Sequence, residues 1–304
     1  MIVNGNQMPD FLMVGAAKSG TTTLYNYLDG HRQVFFPKNY KEPHYFGFDN
    51  KKPCYSDASF TNKLVWRTSD YLNLYREAPK GVKIGDGSTS YLYRAQEAIT
   101  HIRELYGCQA SQLAIVMILR NPIDRAFSHY NFLVRNGYED LSFEEAVKND
   151  VIQDRKRRRW GFDYLSYGDY SQAVKLYNES FEKVKVFFFE ELSEPEWISR
   201  KLCEFLEIDV ILASSLGRSN PSGVPRNKWL THHLLRNPIL KRGVNLLPAS
   251  VKRLALSQRD KVLQGVLERQ ALSDSMRKQL AVYYKDSVKE LEQLSGRKLT
   301  PWLQ

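Results

Sequence analysis

Cysteine is scarce. The chain has three, Cys54, Cys108 and Cys203, widely spaced and without a CxxC pair. That pattern argues against a disulfide framework and against a zinc site of ordinary spacing. No run is both apolar enough and long enough to span a bilayer, and the start, MIVNGNQMPDF, has no basic stretch followed by an apolar one. No signal peptide or membrane span is expected, and the expected location is the cytoplasm. No internal repeat or low-complexity tract occurs. Acidic charge is also short: 34 Asp and Glu face 44 Lys and Arg, a net charge of +10. Such an excess suits an anionic partner and by itself does not choose among nucleotides, sulfated or phosphorylated ligands, nucleic acid and membrane surfaces. What is present is ample core material: 42% of the 304 residues are hydrophobic, enough for one large domain or two average ones.

Apolar runs of strand length recur at FLMVGA (11–16), VKIGD (82–86), LAIVMIL (113–119) and VKVFFFE (184–190). Helical patterns lie between them: TTLYNYL (22–28), RAFSHYNFLV (125–134), FEEAVKND (143–150) and YSQAVKLYNESF (170–181). Apolar strands alternating with amphipathic helices predict an α/β fold, a central parallel β-sheet flanked by helices on both faces. Ligands of such sheets sit beyond the carboxyl ends of the strands. The stretch 272–296 reads as one long helix, capped by Ser273 or Asp274 and ended by Gly296.

After the first apolar run come Lys18, Ser19, Gly20, Thr21, Thr22 and Thr23, and then a helix. The first amides of a helix point outward and carry partial positive charge, glycine admits close approach, and hydroxyls and a lysine add donors. The composition is that of a helix-terminus phosphate site. It is not a Walker A loop, which needs lysine directly after its second glycine; here Lys18 precedes Gly20 by two. The plainer alternative is a strand–turn–helix corner with a solvated lysine. A second anchor follows LAIVMIL: Arg120 at the strand end, Pro122 in a helical first turn, and Ser128 two turns on. An arginine fork and a hydroxyl converging there suit a second phosphate. The competing reading is a local ion pair between Arg120 and Asp124.

Taken together, KSGTT and R-N-P-x-x-R-A-x-S resemble the sulfotransferases that use 3′-phosphoadenosine 5′-phosphosulfate (PAPS). KIGDGSTSYL (83–92), LSYGDYSQAVKLY (165–177), VFFFEEL (186–192), RSNPSGVPRNKWL (218–230) and the closing LTPW resemble further segments of that family in order. The resemblance spans nearly the whole chain. It implies a P-loop-NTPase-like sulfotransferase fold in a single domain, 1–304, with 218–265 as a cofactor-covering lid. It implies that Lys18, Ser19, Gly20, Thr21, Thr22 and Thr23 hold the 5′-phosphosulfate, that Arg120 and Ser128 read the 3′-phosphate, and that Arg226 and Lys228 reach the phosphates. No metal is expected. The product would be 3′-phosphoadenosine 5′-phosphate (PAP).

KEPHYF (41–46) resembles a K-E-x-H-F-F stretch of heparan-sulfate-type sulfotransferases, in which the glutamate is the base. By that resemblance Glu42 deprotonates the acceptor, with His44 the second candidate, and Lys41, Glu42, His44 and Tyr91 face it. Lys41 either keeps Glu42 ionised or touches the sulfuryl group or substrate. Where the family carries an acidic residue soon after the aromatic pair, Gly47-Phe48-Asp49 follows here, with Asp49 either a displaced counterpart or unrelated, which weakens any transfer of acceptor specificity. The expected acceptor is a hydroxyl, or an amine, of a small metabolite or sugar, in a bacterial natural-product setting; a cationic metabolite is one option. A nucleotide kinase or ATPase, and a non-enzymatic anion or nucleic-acid binder, are the competing classes. Nucleic acid is not expected, because the run 155–159 lacks interleaved aromatics and reads as a solvated face. The stretch 226–253, basic with no Asp or Glu, reads as part of the lid, and His129, His232 and His233 read as structural.

Overall fold

The structure is a computed structural model, and it describes residues 1–48, 50–56, 61, 64–157, 160–216, 224–225, 267–268 and 271–304. Asp49, Arg158, Arg159, Arg226, Lys228, His232, His233 and the basic stretch 226–253 lie outside the described residues, as does most of 218–265.

A short antiparallel hairpin, β1 (Ile2–Val3) and β2 (Asn6–Gln7), opens the chain. Its turn is Asn4-Gly5, with φ of 48° and 79°, the left-handed pair that a two-residue hairpin loop requires. The strands of the main sheet are β3 (Phe11–Gly15), β4 (Val34–Phe35), β5 (Lys83–Asp86), β6 (Ala114–Leu119) and β7 (Val184–Phe188). All pair in parallel, in the order β4-β5-β3-β6-β7. β3 is therefore central: the chain first builds toward one edge, then crosses back to the other. That is a topological switch point, with a crevice at the carboxyl end of β3.

Side-chain alternation shows why the sheet is covered on both faces. On β6, Ile115, Met117 and Leu119 enter one apolar cluster, while Ala114, Val116 and Ile118 enter the other. β3 splits likewise, Leu12 and Val14 against Phe11 and Met13. The smaller cluster is closed by α1 (Thr21–Asp29), through Leu24 and Leu28, and by α9 (Pro195–Leu206), through Ile198, Leu202 and Leu206. The larger takes α3 (Ser90–Tyr93), α4 (Ala95–Tyr106), α5 (Pro122–Arg135), α8 (Ser171–Ser180) and α10 (Asp274–Ser295). Each fully buried aliphatic side chain contributes about 1.5–3 kcal/mol, so two continuous faces hold the sheet rigidly beneath its loops. The remaining short helices are α2 (Thr68–Asn73), α6 (Phe143–Ala146) and α7 (Asn149–Lys156).

The expected parallel sheet with helices on both faces is what the chain forms. Ser273 caps α10 by accepting from the Met276 amide, and Gly296 ends it at φ 65°. The helix expected over 143–150 is instead two, α6 and α7. Ser142 and Glu145 close a capping box around α6, and Lys148 is extended (ψ 137°) before α7 restarts. The break lets Arg155 of α7 bond Glu139 and Asp140. Lys156 pairs with Asp163 at 2.6 Å and Arg157 with Asp154 at 2.5 Å. The described part of the basic run is thus neutralised within its own neighbourhood. A second ribbon, β8 (Val224–Pro225) with β9 (Leu267–Glu268), lies against α5.

Candidate functional site

Three loops leave the carboxyl ends of adjacent central strands and meet there. The first follows β3. Its backbone turns tightly, with Lys18 at φ 70° and Gly20 at φ 99°, and Gly20 caps α1. A Cβ on Gly20 would sit 2.5 Å from Leu192 Cδ1. Gly20→Ala is therefore expected to lower stability by about 1–3 kcal/mol through backbone strain, read by urea denaturation; an unchanged midpoint would contradict this. Ser19 is fully buried, and its hydroxyl meets no partner at hydrogen-bond geometry; its polar neighbour is the Tyr170 hydroxyl. An orphaned buried hydroxyl beside outward-pointing helix amides is a place an anion oxygen would satisfy.

Lys18 rests its ammonium 4.2 Å from the centre of the Phe132 ring on α5, and the Arg135 guanidinium lies 5.6 Å from the same ring. Burial pushes Lys18 down to about 7, and repulsion from Arg135, Arg120 and Lys41 adds to it, opposed by Glu42. Four cations converge on one loop. Arg120, at the end of β6, donates to the Lys18 carbonyl at 3.3 Å and stacks over Phe189 at 4.4 Å. Burial lowers it as well. The local pair with Asp124 does not form at bonding distance, because Asp124 bonds Arg277 of α10 at 2.7 Å. Asn121 accepts from the Ile123 and Asp124 amides and so starts α5 directly after Arg120. Ser128 shares a face of α5 with Phe132 and Arg135, at i, i+4 and i+7. Arg125, the other arginine of that segment, is fully buried and bonds the Tyr164 carbonyl and His129, which has the structural role expected of it.

The third loop follows β5. Asp86 is fully buried, and its carboxylate accepts from the Ser88 amide (3.0 Å) and hydroxyl (2.5 Å) and from Tyr71 (2.9 Å) and Tyr91 (2.8 Å). Burial raises Asp86 to about 6, against the pull of these bonds. Ser88 then accepts the His44 amide at 2.8 Å, and the Tyr91 oxygen accepts the Phe46 amide at 3.4 Å. These bonds hold the 44–46 turn, in which His44 stands at φ 63°.

The residues of KEPH meet here. Lys41 donates to the Thr22 hydroxyl at 2.7 Å and lies 3.6 Å from Glu42 Oε1. Glu42 Oε2 accepts from the Thr89 hydroxyl at 2.7 Å and faces His44 Nε2 at 3.6 Å. His44 Nδ1 meets the Ser90 hydroxyl at 2.8 Å, and burial lowers its basicity. The two candidate bases are thus one neighbouring pair beside the cationic loop. Tyr91, expected at the acceptor, is elsewhere: it is fully buried and bonds Asp86, supporting the turn from below. Thr21 is buried in the first turn of α1 and Thr23 is half-buried.

Sequence reasoning missed Arg135, which the i, i+4, i+7 spacing from Ser128 would have flagged. It also missed the hydroxyl run Ser88-Thr89-Ser90, although three successive hydroxyls after a strand were a signal. A cavity of about 310 Å³ opens at the opposite, amino ends of the strands, beside Asp10, Lys83, Lys183 and Glu207. Its charges pair among themselves, Lys83–Glu207 at 3.3 Å and Lys183–Glu207 at 2.5 Å, and it is remote from the converging loops. Among the described residues no cluster of His, Cys, Asp and Glu could hold a metal, and no helix is long and apolar enough to cross a membrane.

On this α/β fold the site gathers cations at a helix amino terminus with a carboxylate beside them. The sulfotransferase domain family matches residues 8–218, and the chain belongs to that family. A crystal structure of a sulfotransferase from Alicyclobacillus acidocaldarius shares the fold, with a TM-score of 0.72, 24% identity and coverage of 98% of this chain and 100% of that one. The chain is 25% identical over 213 residues (64% of its length) to the membrane-associated sulfotransferase kil1 of Dictyostelium discoideum, of which it spans 41%. It is 27% identical over 154 residues (47% of its length) to the human bifunctional heparan sulfate N-deacetylase/N-sulfotransferase 3, of which it spans 15%.

Proposed function

We propose that the chain transfers a sulfuryl group from PAPS to a hydroxyl of a small metabolite or saccharide, by in-line displacement and without a metal. The observation that carries this reading is the convergence of Lys18, Arg120, Arg135 and Lys41 on one desolvated loop, with Glu42 opposing them in Lys18's electrostatic surroundings. Like charges gather at such cost where an anion is to be bound. Ser19, Gly20 and the first turn of α1 suit the 5′-phosphosulfate, and Arg120 with Ser128 suits the 3′-phosphate. When bound, PAPS supplies the sulfuryl group. Lys18 then offers positive charge where the leaving phosphate gains negative charge. Glu42 takes the acceptor proton. His44, kept neutral by burial, and Lys41 flank it.

The family match ends at residue 218, and β8–β9 rests on α5, which supports 218–265 as the cover of a single domain. Arg226 and Lys228 belong to that proposed cover. Exposed free thiols at Cys54 and Cys108 suit a reducing compartment such as the cytoplasm. The test of the activity is incubation with sulfur-35 PAPS and a panel of sugars and small hydroxylated or amino metabolites. Label moving to one of them supports the reading; label released only as sulfate across the whole panel counts against it.

The charge state of Lys18 gives a pH prediction. Above about pH 7 the free loop holds Lys18 largely neutral. A bound phosphate restores its proton, so PAP binding at pH 8 takes up a proton and weakens as pH rises further. Calorimetry in buffers of different ionisation enthalpy reads the uptake, which Lys18→Ala should remove. Uptake that persists in the variant would assign it to another group.

A further inference from the structure

The two oxygens of Glu42 stand in different surroundings. Oε2 accepts the Thr89 hydroxyl at 2.7 Å, has the Thr89 amide at 3.4 Å, and faces His44 Nε2 at 3.6 Å. Oε1 faces the Lys41 ammonium at 3.6 Å. Thr89 is itself held. It is buried, it precedes α3, and its carbonyl would lie 3.4 Å from a Cβ on Gly15 at the end of β3. Its neighbours in sequence carry the other two contacts of the cradle: Ser88 takes the His44 amide and Ser90 takes His44 Nδ1. Three successive hydroxyls thus each hold one part of the Glu42–His44 unit, and only Thr89 touches the carboxylate.

We propose that Thr89 is the positioning residue of the base, anchoring Oε2 of Glu42 so that Oε1 is the atom that takes the acceptor's proton. The inference rests on the reading of Glu42 as the base. In the balanced step the acceptor O–H bond breaks and its proton passes to Oε1. The acceptor oxygen bonds sulfur, and the sulfur–oxygen bond to the donor phosphate breaks with its electron pair left on that phosphate. Without the Thr89 hydroxyl the carboxylate loses its shortest anchor and keeps only longer contacts, and the fraction correctly aimed falls.

The test uses the full chain and PAPS, with water as the acceptor, following PAP formation by chromatography. Thr89→Val keeps the shape and removes the hydroxyl; Thr89→Ser keeps the hydroxyl. The expected result is a turnover lower by about tenfold to a hundredfold in Thr89→Val, the range for losing a hydrogen bond to a charged group. The KM for PAPS and the PAP affinity should stay near wild type, and Thr89→Ser should restore turnover. Wild-type turnover in Thr89→Val would overturn the proposal. So would a proportional loss of PAP affinity, or failure of Thr89→Ser to restore the rate while its thermal melting matches wild type. Glu42→Gln is measured beside them. If it turns over normally, the base assignment itself fails and Thr89 falls with it; if it is slow while Thr89→Val is not, Thr89 alone is refuted.

Discussion

Glu42→Gln is expected to lower turnover by about 10²–10⁴-fold, the usual worth of a positioned general base, with PAP affinity near wild type. The amide is the same size as the carboxylate, and its oxygen can still accept from the Thr89 hydroxyl, so the loop should keep its shape. What is lost is the capacity to take a proton. His44 is next in line: its Nε2 is 3.6 Å from Glu42, and burial keeps the ring neutral. Its Nδ1 is engaged with Ser90, and its Nε2 is the ring nitrogen that faces the carboxylate. A variant within a few-fold of wild type in PAP formation would move the role of base to His44, and His44→Ala would then show the larger loss.

Lys18→Ala is expected to lower turnover by about 10²–10³-fold, comparable with removal of one preorganised donor to a developing oxyanion. The size follows from where the ammonium sits. It is desolvated, packed on Phe132 and repelled by Arg135, Arg120 and Lys41. A charge in such a place is little screened by water and gains most when negative charge builds beside it. Rapid-quench measurement of a single turnover separates this from donor binding, because saturating PAPS corrects a lowered affinity and leaves the chemical step slow. A single-turnover rate within tenfold of wild type would show that Lys41 or Arg120 meets the leaving phosphate instead.

The sheet was legible because β3 and β6 are buried on both faces and so read as unbroken apolar runs. β4, two residues at the sheet edge, has no such run, and α4 and α9 are not among the helices expected from the sequence pattern. The hairpin at the start is encoded by Asn4-Gly5, a two-residue signal that the apolar-run pattern does not include. The loop after β3 stood out as a candidate because helix-terminus anion sites use local sequence: strand, glycine, hydroxyls, lysine. Glu42 and His44 came from a family resemblance; no local rule marks a base in a turn. Their supports were not legible for a physical reason. Thr89 and Ser90 reach KEPH across 47 and 46 residues of chain, and Arg135 meets Lys18 from the last turn of α5. Such pairings exist only once the sheet has set β3, β5 and β6 side by side. Tyr91 erred the other way: an aromatic near the site in sequence belongs to the buried support of Asp86.

On the proposed function, the loop after β3 and the arginine after β6 together recognise one nucleotide with phosphates on both the 3′ and 5′ positions of its ribose. Isothermal calorimetry of the full chain with PAP and with AMP, at one ionic strength, tests it most directly. The two ligands differ by the 3′-phosphate alone. PAP is expected to bind more tightly by about tenfold to a hundredfold, the worth of a charge-assisted arginine–phosphate contact, and Arg120→Met is expected to bring PAP to the affinity of AMP. Equal affinity for PAP and AMP in the wild-type chain, or no binding of PAP, would contradict it.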